Sequence, residues 1–258
     1  MNLSTMSLEG KVACITGGSY GIGLTLALGL AEAGVDVAIV ARDRSRVDDA
    51  AARVRKAGGN ALALTADVRS KTQVQDAADA VITAFGRVDI LINNAGVAGA
   101  APSEDLDESE WDRIVDINLK GTFLCCQSFG RHMLAQKSGK IVNVSSVAGL
   151  GAFPKRAAYG SSKAAVIMLT KVLAVEWADR NVHVNAIAPG VMRTPLNEEM
   201  IARGNLDLAA INRRTPIGRR GETTDLLGAV TYLASSASDY VTGAVLTVDG
   251  GWSAASFL

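Results

Sequence analysis

The chain has 258 residues, of which 26 are Lys or Arg and 26 are Asp or Glu, so its formal net charge is zero. A neutral chain lacks the basic field that draws a protein to phosphate backbones, which argues against nucleic acid as the main partner. No run approaches the roughly 18 consecutive apolar residues of a membrane span, so we also expect no membrane partner.

Short β-branched runs alternate with longer Ala/Leu-rich stretches along the chain. In chain order the pattern predicts a strand at 11–16, a helix at 21–33, a strand at 36–41, a helix at 45–57, a strand at 61–66, a helix at 71–85, a strand at 88–93, a long helix at 109–136, a strand at 140–145, a helix at 159–178, a strand at 182–188, a helix at 223–235 and a last strand at 245–248. Strands that alternate with helices form right-handed βαβ units. The sequence therefore predicts an α/β fold, a doubly wound seven-stranded parallel sheet flanked by helices.

One segment, 195–221, departs from this alternation. It carries several charges and two prolines, and its periodicity is weak. Long irregular segments in compact domains are often functional lids, and ligands of such sheets bind beyond the carboxyl ends of the strands. We interpret 195–221 as a substrate lid; an ordinary surface excursion is the alternative.

The rest of the chain shows no Pro/Gly/Ser-rich linker, so a single domain over residues 1–258 is predicted. Cys14, Cys125 and Cys126 lie in apolar surroundings and lack the spacing of a metal or redox site. The first ten residues lack the basic and apolar regions of a secretory signal. We therefore expect a reducing, cytoplasmic compartment and no metal.

A glycine-rich turn links the first predicted strand to the first helix. Residues 16–23 read Thr-Gly-Gly-Ser-Tyr-Gly-Ile-Gly. Glycine permits a tight turn and a close approach of backbone to pyrophosphate, and a helix N-terminus offers free N–H groups. No Lys-Ser/Thr follows, so a triphosphate loop is not indicated, although a plain tight turn stays an alternative. The candidate phosphate-binding residues are Gly17, Ser19, Tyr20, Gly21, Ile22 and Gly23.

Tyr159 and Lys163 are four residues apart in a predicted helix, so their side chains share one face. A phenol with a pKa of about 10 is a poor base at neutral pH. A neighbouring ammonium stabilises the phenolate and lowers that pKa. The pair indicates an acid–base group, although such a pair also arises by chance on an amphipathic helix.

Together these motifs resemble the short-chain dehydrogenases/reductases from about residue 8 to residue 252. Residues 16–23 match the family's TGxxxGIG, residues 93–96 its NNAG, and Tyr159 with Lys163 its YxxxK. Residues 189–194 are similar to the family's PGxVxT, with Met192 in place of Val or Ile. The resemblance implies a Rossmann-like fold with strand order 3-2-1-4-5-6-7 and a nicotinamide cofactor.

The resemblance also implies individual roles. Cofactor contacts would come from Asp67 and Val68 at the adenine, Asn94, Ala95 and Gly96 beside the adenosine, and Pro189, Gly190, Met192 and Thr194 at the carboxamide. Tyr159 would exchange a proton with the carbonyl oxygen, Ser146 would hold that oxygen, and Lys163 would lower the Tyr159 pKa and bind the nicotinamide ribose. Asn118 would hold a water that links Lys163 to solvent. Ser146, thirteen residues before Tyr159, fits the family spacing better than Ser145.

The residue just past the second strand distinguishes the two nicotinamide cofactors. An acid there accepts hydrogen bonds from the ribose diol of NAD, whereas the planar fork of Arg suits the 2′-phosphate of NADP. The chain has Ala41 at that position, followed by Arg42 and Asp43. NADP(H) is favoured, and NAD(H) is the alternative if Asp43 contacts the diol.

The sequence leaves the substrate open. The resemblance implies a small-molecule ketone or secondary alcohol, with walls at 97–101 and 147–153. Three classes remain: a β-ketoacyl thioester of the 3-oxoacyl-carrier-protein type, a sugar or polyol oxidised with NAD, and a broad range of ketones. Five arginines have two alternative interpretations, either binding an anionic group of the substrate or lying in solvent: Arg156, Arg213, Arg214, Arg219 and Arg220.

Two further expectations follow. Relatives in the family are usually homotetramers that pair their long helices and C-terminal strands, and residues 242–252 resemble that interface-forming tail, so a homotetramer is expected. A catalytically silent dinucleotide-binding scaffold is the alternative outside enzymes. Such a protein would keep the glycine turn and lose Tyr159 or Lys163, yet both are present.

Overall fold

The computed structural model describes residues 3–202, 204 and 206–255. Its strands and helices follow one another as β1 (Val12–Thr16), α1 (Gly21–Glu32), β2 (Asp36–Ala41), α2 (Arg44–Lys56), β3 (Ala61–Thr65), α3 (Lys71–Phe85), β4 (Ile90–Asn93), α4 (Glu108–Val115), α5 (Gly121–Gln136), β5 (Gly139–Val144), α6 (Ala157–Trp177), β6 (Val182–Pro189), α7 (Pro195–Ala202), α8 (Leu208–Arg214), α9 (Leu227–Ala234) and β7 (Val245–Val248). Strands and helices thus alternate as the sequence pattern predicts.

These strands form one parallel sheet in the order β3-β2-β1-β4-β5-β6-β7. The central strands β1 and β4 are buried along their whole length, which explains their continuous apolar sequence. Helices α1, α2 and α9 pack on one face of the sheet, and α3, α5 and α6 pack on the other. The predicted doubly wound, Rossmann-like α/β fold is confirmed.

The order of strand addition reverses between β1 and β4. Thr16, the last residue of β1, is in register with Val40 of β2 on one side and with Asn93 of β4 on the other. The helices that follow β1 and β4 pack on opposite faces, so a crevice opens beyond the carboxyl ends of these two strands. Open α/β sheets bind their ligands in such a crevice.

The long helix expected at 109–136 is divided in the structure. α4 ends at Val115, the residues Asp116–Lys120 form a wider π turn, and α5 begins at Gly121. A π turn accommodates an inserted residue inside a helix and often marks a functional site. A 3.6-residue periodicity does not reveal such a local change, so the sequence predicted one regular helix.

The segment 195–221 is more regular than expected, because its described residues include α7 and α8. α7 starts at Pro195, and the Thr194 hydroxyl accepts the Asn197 N–H at 3.2 Å. Proline is favoured at the first position of a helix because its missing N–H is not needed there. Thr194 followed by Pro195 is therefore a sequence signal for the start of a helix, although the periodicity of the residues after it is weak.

The helix that follows β5 has an apolar composition. Within the described part of the chain, Ala157–Arg180 is the segment long and apolar enough to cross a membrane by length and composition, and 44% of its apolar window is buried inside the protein. The sequence predicts this helix at 159–178 and predicts no membrane span there, because Lys163 and Lys171 interrupt its apolar residues.

Candidate active site

The turn between β1 and α1 forms a cradle that has no room for side chains. Gly17 and Gly21 have φ values of +63° and +55°, which L side chains rarely adopt. A Cβ on Gly23 would overlap the carbonyl oxygen of Gly17, and a Cβ on Gly17 would lie 2.8 Å from Ala95 Cα. Tyr20 precedes α1 and provides no side-chain cap, so the first N–H groups of the helix can bind an anion. The cradle fits a pyrophosphate.

Asn94 and Thr16 brace this cradle from the neighbouring strand ends. The backbone N–H groups of Asn94 and Ala95 each donate to Thr16 Oγ1 at 3.1 Å. The Asn94 side-chain amide donates to the carbonyl oxygens of Thr16 at 3.2 Å and Gly17 at 3.0 Å. The segment after β4 thus fixes the shape of the glycine turn.

Arg42 lies at the carboxyl end of β2 with its side chain exposed, and it forms no ion pair with any described residue. Asp43 is engaged differently: its carboxylate accepts the Arg46 N–H at 3.0 Å as the cap of α2 and lies 3.5 Å from the Arg46 guanidinium. That guanidinium in turn stacks 5.8 Å from the centre of the Tyr20 ring. The rim beside the cradle is therefore basic, and the neighbouring Asp43 carboxylate is already engaged by Arg46.

Asp67 and Val68 follow β3, at the edge of the same crevice. The Asp67 carboxylate pairs with Arg69, with 2.6 Å between Oδ2 and Nη2, and this hydrogen bond holds the Asp67 pKa below its usual range. The charge of Arg42 also acts to lower the pKa of Asp67. Val68 is buried against Gly121.

Residues 189–194 run from the end of β6 to the start of α7. The Gly190 N–H donates to the carbonyl oxygen of Val248 at 3.0 Å, and a Cβ on Gly190 would lie 2.9 Å from Asp249 Cα. Met192 is buried in the core, and its backbone forms an isolated bridge with Gly221. The Thr194 hydroxyl accepts an N–H of α7, so its own proton can still be donated into the cleft.

Ser145 and Ser146 differ in what their side chains contact. Ser145 is buried and donates to the carbonyl oxygen of Lys163 at 2.9 Å, which ties the end of β5 to α6. Ser146 Oγ accepts the Ala148 N–H at 3.1 Å, and Ser146 borders the same cleft as the Tyr159 phenol, whose pKa it lowers. Ser146 therefore faces the phenol, as its spacing from Tyr159 predicts, and Ser145 has a structural role.

Tyr159 and Lys163 carry opposite pKa shifts, and burial causes both. Burial raises the Tyr159 pKa above its usual value, while the Ser146 hydrogen bond and the positive charge of Arg156 act to lower it. Burial lowers the pKa of Lys163 to about 8. Lys163 Nζ donates to the carbonyl oxygen of Val144 at 2.8 Å and lies 5.9 Å from the centre of the Tyr159 ring. The role of Lys163 in stabilising the phenolate stays a prediction, and Ser146 and Arg156 are two further groups that lower the Tyr159 pKa.

Asn118 lies in the π turn and is fully buried. Its Oδ1 accepts the Val97 N–H at 2.8 Å, and its Nδ2 donates to the Val97 carbonyl at 2.9 Å and to Ser162 Oγ at 3.1 Å. Ser162 in turn donates to the carbonyl oxygen of Tyr159 at 2.7 Å. Asn118 thus joins the loop after β4 to α6. Ser162 was missed by the sequence analysis, although it precedes Lys163 directly.

These groups open into one cleft of about 450 Å³, lined by the glycine turn, Ser146, Tyr159, Lys163 and Thr194. Apolar side chains complete its walls: Val97, Ala98, Ala100, Val147, Ala148, Phe153, Met200, Leu206, Ile211 and Trp252. The rings of Phe153 and Trp252 stack at 5.9 Å between centroids. Both expected walls and the segment 195–221 contribute, and the buried Trp252 also borders the cleft. Among the described residues, no three His, Cys, Asp or Glu side chains are grouped as metal ligands would be.

Comparison with known proteins decides the family. The model of the short chain dehydrogenase family matches residues 11–204. The chain belongs to the short-chain dehydrogenase/reductase family. This dehydrogenase is 40% identical over 253 residues to the 2-dehydro-3-deoxy-D-gluconate 5-dehydrogenase of Escherichia coli K12, with 98% of this chain and 99% of the relative covered. It is 44% identical over 248 residues to 3beta-hydroxysteroid dehydrogenase 1 of Eggerthella lenta, with 95% and 94% covered.

A solved structure is also similar to this dehydrogenase. The crystal structure of a gluconate 5-dehydrogenase from Burkholderia cenocepacia J2315 in complex with NADP and tartrate superposes with a TM-score of 0.94 at 40% identity, and 98% of this chain and 99% of that chain are covered. The predicted activity class is confirmed: the chain is an NAD(P)-dependent oxidoreductase that acts on alcohol or carbonyl groups of small molecules.

Proposed function

We propose that this dehydrogenase transfers a hydride between NADP(H) and a ketone or secondary alcohol, with Tyr159 as the acid–base group. The observation that carries the proposal is the convergence of Tyr159, Ser146 and Lys163 in the cleft that the glycine cradle also borders. A phosphate cradle and a phenol beside a buried ammonium together suit hydride transfer coupled to proton transfer.

The nicotinamide, when bound, supplies or accepts the hydride. In reduction, Tyr159 donates its phenolic proton to the carbonyl oxygen, and Ser146 donates a hydrogen bond that holds this oxygen in place. Because burial raises the Tyr159 pKa, the phenol is protonated at neutral pH and ready to donate. Lys163 places a positive charge beside the phenolate that remains and binds the nicotinamide ribose. In oxidation Tyr159 accepts the proton.

Asn118 supports this chemistry in two ways. It holds a water through which Lys163 exchanges protons with solvent. Its side chain also holds the loop after β4 against α6, because it forms hydrogen bonds with both Val97 and Ser162. The proton lost from Tyr159 during reduction is thereby replaced from solvent.

We propose that NADP(H) is the preferred cofactor and that Arg42 binds its 2′-phosphate. Arg42 is exposed and has no ion-pair partner among the described residues, whereas the Asp43 carboxylate, the group that would suit the NAD diol, caps α2 and lies near Arg46. The similar gluconate 5-dehydrogenase binds NADP. Asp67 and Val68 then border the adenine, Asn94, Ala95 and Gly96 the adenosine, and Pro189, Gly190, Met192 and Thr194 the carboxamide.

The experiment follows reduced-nicotinamide absorbance with purified protein, NADPH or NADH, and a panel of β-ketoesters, cyclic ketones and ketosugars. Turnover with NADPH well above NADH supports the proposal. Arg42→Gln should raise the KM for NADPH about 10- to 100-fold, since a charge-assisted contact is lost, and leave the KM for NADH within about threefold. Arg44→Gln is the matched control, because Arg44 pairs with Asp48 on the surface of α2. Equal effects of the two substitutions, or an NADH preference, would overturn the assignment.

We further propose that residues 1–258 act as one catalytic unit in which 195–221 closes over the substrate, and that four chains assemble. Met168, Val172 and Val175 form an exposed apolar stripe on α6, at 58%, 45% and 83% exposure, and β7 is an open sheet edge. Light scattering should give four times the chain mass of 26.8 kDa; a single chain mass would contradict the assembly. The three free, buried cysteines favour a reducing, cytoplasmic compartment.

A further inference from the structure

Arg156 is a half-buried cation in the wall of the cleft. Its Nη1 donates to the carbonyl oxygen of Gly99 at 2.9 Å, and none of the described residues brings a carboxylate oxygen within ion-pair distance of it. Other arginines do pair: Arg220 lies 2.9 Å from Glu198, and Arg219 lies 2.7 Å from Asp225. A guanidinium carries five N–H donors, so most of those on Arg156 are available to a ligand.

The described residues that line the cleft include the cations Lys155, Arg156 and Lys163 and no Asp or Glu. A partly buried cavity with one sign of charge attracts ligands of the opposite sign. Burial also lowers the pKa of Arg156, which reflects the cost of holding this cation out of water. An anion at this point would offset that cost.

The backbone holds Arg156 at a fixed place beside the acid–base group. It directly precedes α6 and is three residues before Tyr159, so both side chains belong to the first turn of this helix. The Ala101 N–H donates to the Lys155 carbonyl at 3.1 Å, which joins the loop before α6 to the loop after β4. Lys155 has a φ of +63°, a conformation that a non-glycine residue keeps only where its surroundings impose it.

We propose that Arg156 is the anion-binding residue of the substrate site, and that the substrate is a keto or hydroxy acid whose carboxylate lies within a few carbons of the reacting carbon. The proposal deepens the proposed function and rests on it. Arg binds carboxylates through parallel hydrogen bonds, so Arg156 would fix both the distance and the orientation of the carbonyl relative to Tyr159. The phosphate of a phosphopantetheine arm lies the whole arm's length from a β-keto carbonyl. It could not reach Arg156 while that carbonyl meets Tyr159.

The test compares each keto acid with a matched neutral ketone, with NADPH as the hydride donor. The pairs are levulinate and methyl levulinate, and 5-keto-D-gluconate and the ketose L-sorbose. The wild-type protein should show a higher kcat/KM for the acid of each pair. Arg156→Gln, which keeps an N–H for Gly99, should lower the acid-to-neutral ratio of kcat/KM about 10- to 100-fold, mainly through the KM of the acid. Arg156→Lys keeps the charge without the planar fork and should restore part of the ratio.

Lys155→Gln is the matched control, because it removes the same charge one residue away. Lys155→Gln should change the acid-to-neutral ratio by less than about threefold, because solvent and salt screen an exposed charge that makes no direct contact with the substrate. An unchanged ratio in Arg156→Gln, or an equal fall in Lys155→Gln, contradicts the anion site while leaving hydride transfer intact. If no ketone is reduced at all, the proposed function fails. The Kd of tartrate for the NADP-saturated protein then decides the anion site alone, with weaker binding to Arg156→Gln expected and equal binding contradicting it.

Discussion

At the residue scale, the proposed acid–base chemistry depends on the partly buried Tyr159 and the buried Lys163, whose pKa shifts are opposite. Burial raises the Tyr159 pKa and lowers the pKa of Lys163 to about 8, because each charged form is desolvated. Reduction needs both groups protonated, Tyr159 as the proton donor and Lys163 as the cation. As the pH rises, Lys163 loses its proton first.

This order predicts the pH profile of reduction. With NADPH and a neutral ketone, which does not itself titrate, kcat/KM should be level between about pH 6 and 7 and fall above about pH 8 as Lys163 becomes neutral. In Lys163→Gln, the fall near pH 8 should disappear from the activity that remains. A fall that persists at the same pH in this variant would assign the titration to another group.

Sequence reasoning reached some of these residues and not others. The four-residue spacing of Tyr159 and Lys163 is visible in the chain, Ser146 followed from the resemblance to the family, and the structure brings all three into one cleft. Ser162 has no such signal, because its role depends on a hydrogen bond to Asn118, 44 positions away. Arg156 was noted, yet whether it is solvated or directed into the cleft is decided by a tertiary contact with Gly99.

At the scale of elements, two irregular pieces shape the cleft. The π turn between α4 and α5 presents the Asn118 side chain to Val97. An ion pair ties the ends of the segment 195–221: the buried Arg220 lies 2.9 Å from the half-exposed Glu198. A shorter neutral side chain in place of Arg220 would lose this ion pair and leave a buried position poorly filled. The ends of 195–221 should therefore loosen when this contact is removed.

If 195–221 closes over the substrate as proposed, Arg220→Gln should raise the substrate KM about tenfold and speed limited proteolysis within this segment, because the segment would be held less firmly. Arg213→Gln is the matched control, since Arg213 belongs to the same segment, is exposed and does not line the cleft. Cleavage rates that are equal in the two variants would show that the ion pair does not hold the segment closed.

Most helices and strands could be predicted from periodicity, and the exceptions have physical causes. A π turn changes the hydrogen-bond register of a helix without changing its apolar pattern enough to be seen. α7 and α8 are short, and short helices owe their stability to tertiary packing more than to local propensity. The weak pattern in 195–221 consequently suggested an irregular segment.

For the whole molecule, the strand order places the site. The reversal between β1 and β4 opens the crevice, and the glycine turn, Tyr159 and the segment 195–221 line the cleft there. Alternation of strands and helices predicts a parallel sheet, but it does not specify the order of the strands. That order followed from the resemblance to the family, and the structure confirms it.

The most direct measurement is hydride transfer by Tyr159→Phe, which removes one hydroxyl and keeps the ring. Cofactor affinity, followed by NADPH fluorescence, should stay within about threefold of wild type, because the phosphate cradle is untouched. Ketone reduction should fall about 10²- to 10⁴-fold, the usual contribution of a positioned proton donor. Turnover within tenfold of the wild-type rate would contradict the assignment of Tyr159 as the acid–base group.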